Sequence, residues 1–266
     1  MPQITWNDVL KPGDARLFFT REPLPAFDPT TSNYSVANAY WLAELSRLVY
    51  RRDVAGPAAR REMLARAGLE ELRYFDSDVT GAGGFLVISR VSSPFAVLAF
   101  RGTEQKIQDV LHDADARLVP AFGESVGVHS GFKRALNSVW NDIDAALDAV
   151  DCPIFYTGHS LGAALAVLAA LRRTPRAVYT FGCPRVGDAR LPEKLRDIPI
   201  HRVVYGDDVV TTVPLEMFGF RHVGTEHRIG RSRGLPLGIE DTVWRSLTLP
   251  PRAVADHAPI NYVDGV

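Results

Sequence analysis

Cysteine is scarce in this chain: 266 residues contain only Cys152 and Cys183. Two cysteines exclude a multi-disulfide framework, and their separation matches no zinc-ligand spacing, which leaves a single bridge or, as the expectation, two buried free thiols. Net charge is equally small. Thirty basic against 31 acidic side chains leave a formal charge of -1, without the basic excess that nucleic-acid binding requires. Long apolar runs are missing too, since the longest, residues 161–171, is about half of the roughly 20 needed to span a bilayer. Residues 1–8 show neither the basic opening nor the apolar stretch of a secretory leader. With Met1 as the native start the expected compartment is the cytoplasm, although a secreted chain with a processed start would read the same way.

What is present is ordinary globular material, 46% apolar and 23% charged, enough for a substantial core. No repeat, charge block or low-complexity linker divides the chain, and residues 1–266 read as one domain. Short apolar runs at 85–91, 95–100, 154–156, 177–181 and 200–205 are bounded by Gly, Pro or polar residues and predict buried strands. Helical patterns separate them. Residues 36–50 form one; Leu136, Trp140, Ile143, Leu147 and Val150 form the stripe of a second; the Ala- and Leu-rich stretch 161–173, stopped before Pro175, forms a third. Alternating strands and helices imply an α/β fold with a mostly parallel central sheet flanked by helices, and reactive groups then belong in loops at the C-terminal strand ends.

One such loop holds Gly158-His159-Ser160-Leu161-Gly162, a Gly-x-Ser-x-Gly match in which glycines let a strand turn sharply into a helix with serine at the apex. A second match, Gly123-Glu124-Ser125-Val126-Gly127, lies in a stretch too glycine-rich to begin a helix, so Ser125 is expected to be a loop serine. Ser160 follows an apolar run and precedes the Ala-rich helix. It is the candidate nucleophile.

A serine hydroxyl needs a general base, normally a histidine oriented by a carboxylate, and in α/β-hydrolases the chain order is Ser, Asp or Glu, His. Of seven histidines, His112, His129 and His159 precede Ser160 and His201 precedes the best acid. His222, His227 and His257 remain. His222 falls in 218–223, which reads as a further strand and a structural setting; His227 reads as surface-exposed; His257 lies in a loop that can reach the site. Asp207 and Asp208 follow the strand 200–205, and alternation allows only one of them to face the site.

These residues resemble the class 3 lipase family, the fungal-type triacylglycerol lipases with their bacterial and plant relatives, over most of the chain from Asn38 to Tyr262. The marks are Phe100-Arg-Gly-Thr103, Val128-His-Ser-Gly-Phe132, Thr157 to Ala163, Phe181-Gly-Cys-Pro-Arg-Val-Gly-Asp188, Arg202 to Pro214, Arg221-His-Val-Gly224 and Asp256-His257 to Tyr262. The resemblance implies an α/β-hydrolase fold, Asp208 as the acid, His257 as the base, and His129 and His222 outside the triad. It also implies an oxyanion hole from Thr103 and the backbone N–H of Leu161, in keeping with the donor capacity of a helix N-terminus. Residues 104–113 then correspond to the family's lid, with Ile107, Val110 and Leu111 on one helical face. The chain departs from the pattern at Val110, where an aromatic residue is common, and at Thr211, where proline is usual.

The expectation is therefore a serine carboxylic-ester hydrolase, a triacylglycerol lipase acting through an acyl-enzyme with no metal or cofactor. An acylglycerol or other ester is its substrate, and a lipid–water interface its transient partner. A short-chain or aromatic-acid esterase or a phospholipase A1 uses the same scaffold, and a non-catalytic binding module is the alternative of another class. A metal-dependent hydrolase is disfavoured because no His-Glu-x-x-His occurs.

Overall fold

The structure, a computed structural model, describes residues 3–14, 17–52, 56–90, 93–102, 117–232 and 249–266. Nine strands are described: β1 (Leu69–Asp76), β2 (Gly83–Ser89), β3 (Phe95–Arg101), β4 (Leu118–Pro120), β5 (Gly127–His129), β6 (Ile154–His159), β7 (Ala177–Phe181), β8 (Ile200–Tyr205) and β9 (Thr225–Ile229). The α-helices are α1 (Trp6–Leu10), α2 (Val36–Leu48), α3 (Gly56–Arg66), α4 (Ser130–Asn137), α5 (Trp140–Leu147), α6 (Leu161–Arg172), α7 (Leu191–Lys194), α8 (Arg252–Ala255) and α9 (Pro259–Gly265).

Seven strands form one sheet in the order β1-β2-β3-β6-β7-β8-β9. β1 with β2 and β2 with β3 are antiparallel, while every pairing from β3 to β9 is parallel. The five apolar runs supply β2, β3, β6, β7 and β8, whose continuous burial is what a sheet covered on both faces demands. Adjacent side chains go to opposite faces. Leu86, Leu98, Tyr156 and Val178 pack with α4, α5 and α6, whereas Val87, Val97, Phe155 and Tyr179 pack with α2 and α9.

Helix α6 is apolar all round because it is buried all round: Gly162 through Ala170 are all shielded from solvent. Its neighbour departs from expectation. The stripe from Leu136 to Val150 predicts one helix, but the chain breaks between α4 and α5, where Val139 N–H bonds to Leu136 O and the Ser138 hydroxyl donates to Ala135 O. The stripe still faces the sheet on both pieces, with Leu136, Ile143 and Leu147 fully buried. Residues 218–223 are not a strand. A 3₁₀ turn, Glu216–Phe218, ends at Gly219 in the left-handed region, and only an isolated bridge joins Arg221 to Gly187. The cysteines are free, but Cys152 is only partly buried.

Candidate active site

The parallel strands β6, β7 and β8 end along one edge of the sheet, and the chemistry-bearing residues follow those ends. Ser160 adopts φ 59°, ψ -127° between β6 and α6, a conformation uncommon outside glycine. Close packing on either side holds it. A Cβ at Gly158 would collide with the backbone of Gly162, and one at Gly162 with the carbonyl of Phe100 on β3, so the two glycines let strand and helix meet at the serine. Ser160 N–H donates to Phe181 O at 3.0 Å, fastening the turn to β7. Leu161 opens α6, so its N–H has no carbonyl within the helix to bond. Ser125, by contrast, is an exposed bend residue.

Asp208 is buried at the start of a 3₁₀ turn, Val209–Thr212, and caps it by accepting Val210 N–H on Oδ1 at 2.9 Å. Its Oδ2 lies 2.8 Å from His257 Nδ1 and also accepts the hydroxyl of Tyr262 on α9. A carboxylate only accepts, so His257 carries its proton on Nδ1 and leaves a lone pair on Nε2. That nitrogen is buried, with no hydrogen-bond partner among the described residues. Asp207 takes the other direction: its N–H bonds to Asp256 Oδ2 at 2.9 Å and its carboxylate to Ser232.

Two residues beyond the sequence-based set shape this site. Gly182, at φ 58° after β7, lies so close that a Cβ there would come within 2.7 Å of Asp208 Oδ2 and 2.9 Å of His257 Nδ1. Tyr262 is fully buried, and desolvation together with the Asp208 charge raises its phenol well above 10. It therefore donates as a neutral hydroxyl. Both stand in motifs quoted above, but their contacts depend on elements distant in sequence.

The other described histidines serve the frame. His222 Nε2 donates to Thr211 O at 2.8 Å, and burial, helped by Arg202, lowers its pKa to about 4. Thr211 in turn donates its hydroxyl to Asp208 O, so His222 braces the loop behind Asp208. His129 caps α4 by accepting from Gly131 and Phe132 N–H. His227 is half-buried rather than surface-exposed: β9 brings it against Tyr34, with ring centroids 3.8 Å apart, and within 3.2 Å of His201 Nδ1. Thr103 and the lid candidates Ile107, Val110 and Leu111 lie outside the described residues. Among the described residues no group of three or more His, Cys, Asp or Glu side chains could hold a metal ion, and no helix is long and apolar enough to cross a membrane.

The parallel sheet, the serine on its strand-to-helix turn and the buried Asp208 after β8 have the arrangement of the α/β-hydrolase fold. The Lipase (class 3) family model matches residues 97–218. A secreted mono- and diacylglycerol lipase A of Penicillium camembertii is 32% identical over 225 residues, covering 76% of this chain and 72% of the relative. The chain belongs to the class 3 lipase family. A secreted mono- and diacylglycerol lipase 1 of Fusarium solani is 39% identical over 128 residues, which are 44% of this chain and only 38% of that protein. The match to a Rhizopus niveus lipase likewise spans 37% of its length. In fold, the mono- and diacylglycerol lipase of Aspergillus oryzae superposes with a TM-score of 0.66 at 22% identity, covering 85% of this chain and 96% of that one.

These relatives correct the expected compartment. The Fusarium and Penicillium proteins are named as secreted, which points outside the cell rather than to the cytoplasm. A leader is removed on export, so the composition of residues 1–8 does not separate the two compartments.

Proposed function

We propose that the 266 residues act as one catalytic unit hydrolysing carboxylic esters of acylglycerols, with Ser160 as nucleophile, His257 as general base and Asp208 as its orienting acid. The observation that carries this reading is the His257 imidazole, fixed by Asp208 with its Nε2 lone pair uncommitted among the described residues, at the strand edge where Ser160 is held in a strained turn. Ser160 Oγ attacks the ester carbonyl while His257 Nε2 takes its proton. The Leu161 N–H and, from the sequence pattern, Thr103 receive the oxyanion. Collapse releases the alcohol, protonated by His257, and leaves an acyl-serine. Water, deprotonated by His257, then adds to that ester and releases the fatty acid.

Acylglycerol as the substrate class is supported by the relatives' names, which extend the triacylglycerol expectation to mono- and diacylglycerols. A lipid–water interface as partner is supported by an apolar tip on the 3₁₀ turn Glu216–Phe218. Met217 is 81% exposed and Phe218 61%, beside exposed Leu215 and Leu118. Rates on soluble p-nitrophenyl butyrate, p-nitrophenyl palmitate, emulsified mono-, di- and triolein, and phosphatidylcholine test the reading. Preference for emulsified glycerides supports it; hydrolysis of phospholipid or soluble short esters alone replaces it with the phospholipase or esterase alternative.

A further inference from the structure

We infer that His159, the residue preceding Ser160, is a positioning residue: a neutral imidazole that holds the backbone of His257 through its Nε2–H. The inference rests on the roles proposed above for Ser160 and His257.

His159 ends β6 and is almost wholly buried. Its Nε2 lies 2.7 Å from the carbonyl oxygen of His257. A carbonyl can only accept, so the proton sits on Nε2 and Nδ1 offers a lone pair. The Tyr50 hydroxyl, 3.2 Å from Nδ1, donates to it. Both ring nitrogens are thus committed in one tautomer. Burial, reinforced by the neighbouring His257, keeps the ring neutral by holding its pKa well below 6.5.

The main chain at His257 is tied locally on either side, with Asp256 N–H on Arg252 O at 2.8 Å and Ala258 N–H on Ala255 O at 3.0 Å, and His159 links it to the end of β6. It lies in the turn between the four-residue helix α8 and α9, with its N–H on Val254 O at 3.2 Å. Asp208 fixes one ring nitrogen and His159 fixes the carbonyl of the same residue. The His159 ring also packs against the His257 ring, with centroids 4.3 Å apart. Because His159 is bonded directly to Ser160, this tie makes the separation of nucleophile and base a property of one rigid strand end. A displacement of about 1 Å in such a pair costs roughly 100-fold in rate. A neutral neighbour also adds no repulsion when His257 becomes an imidazolium.

The test compares His159→Phe, which keeps a ring but removes the donor, with His159→Gln, which restores an N–H near the Nε2 position. With soluble p-nitrophenyl butyrate, His159→Phe is expected to lower kcat about 10- to 100-fold with KM within about twofold, and His159→Gln to recover at least tenfold of a full loss. Labelling of Ser160 by a fluorophosphonate should slow in step with kcat. A kcat within about threefold of the parent in His159→Phe, or equal losses in both variants, overturns the proposal. Should His159→Phe not fold, imidazole ¹⁵N NMR of the unmodified protein decides: a neutral His159 protonated on Nε2 is required, and the other tautomer or a charged ring at pH 7 overturns it. Ser160→Ala is assayed alongside. Full activity there defeats the Ser160 reading, whereas an inactive Ser160→Ala with a fully active His159→Phe defeats this inference alone.

Discussion

Asp208 Oδ2 receives two buried donors at once, His257 Nδ1 at 2.8 Å and the Tyr262 hydroxyl. Two donors on one oxygen restrict the carboxylate more than His257 alone could. Removing the phenol leaves His257 to hold it with Val210 N–H. Tyr262→Phe is therefore expected to lower unfolding free energy by about 1.5–3 kcal/mol, the range for hydrogen bonds to charged groups, and kcat/KM by about three- to tenfold. Urea denaturation and ester kinetics check both values.

Gly182 is the point where added bulk reaches Asp208 and His257 together. Gly182→Ala puts a methyl 2.7 Å from Asp208 Oδ2 and imposes a side chain at φ 58°. A cost of about 1–3 kcal/mol is expected from the backbone alone. Displacement of the pair should lower kcat at least tenfold, so activity at a temperature where the variant remains folded should fall beyond what its stability explains.

Burial lowers the pKa of His159, His201, His222 and His227 below the usual 6.5. For a histidine kept neutral in the fold the sign is definite. Below pH 6.5 the unfolded chain binds protons that the native chain does not, so stability falls as pH falls, and for His222 the loss ends near pH 4. Asp28, held below 3.8 by hydrogen bonds from Thr30, adds to the loss only at lower pH. The urea midpoint should drop between pH 7 and 5, and less steeply in His222→Gln. A flat midpoint over that interval contradicts the assignment of neutral buried histidines.

The apolar tip gives a different readout. In Met217→Ser/Phe218→Ser the ratio of the rate on emulsified diolein to that on soluble butyrate should fall at least fivefold, because the soluble ester has no surface to dock. An unchanged ratio removes the tip from the interface.

The buried parallel strands and the serine turn were legible because both leave local marks: continuous apolar runs covered on two faces, and glycines where strand and helix touch. The edge strands were not. β1 and β9 carry Glu70, Glu71, Arg73, Glu226 and Arg228, and charged edges hide the strand pattern while protecting the edge. The break between α4 and α5 escaped because the apolar stripe continues across it. Order and loop context narrowed the acid to Asp207 or Asp208 and favoured His257 as the base, while Asp208 came from the family pattern. The donors from Tyr50, His159 and Tyr262 arise between segments far apart in the chain, where spacing has no reach.

The most direct measurement of the central claim is mass-spectrometric mapping of fluorophosphonate labelling, paired with ester hydrolysis, in the parent, Ser160→Ala and Ser125→Ala. Labelling at Ser160 in the parent and in Ser125→Ala, with neither labelling nor turnover in Ser160→Ala, is the expected result. Turnover and labelling that survive in Ser160→Ala and vanish in Ser125→Ala would contradict it.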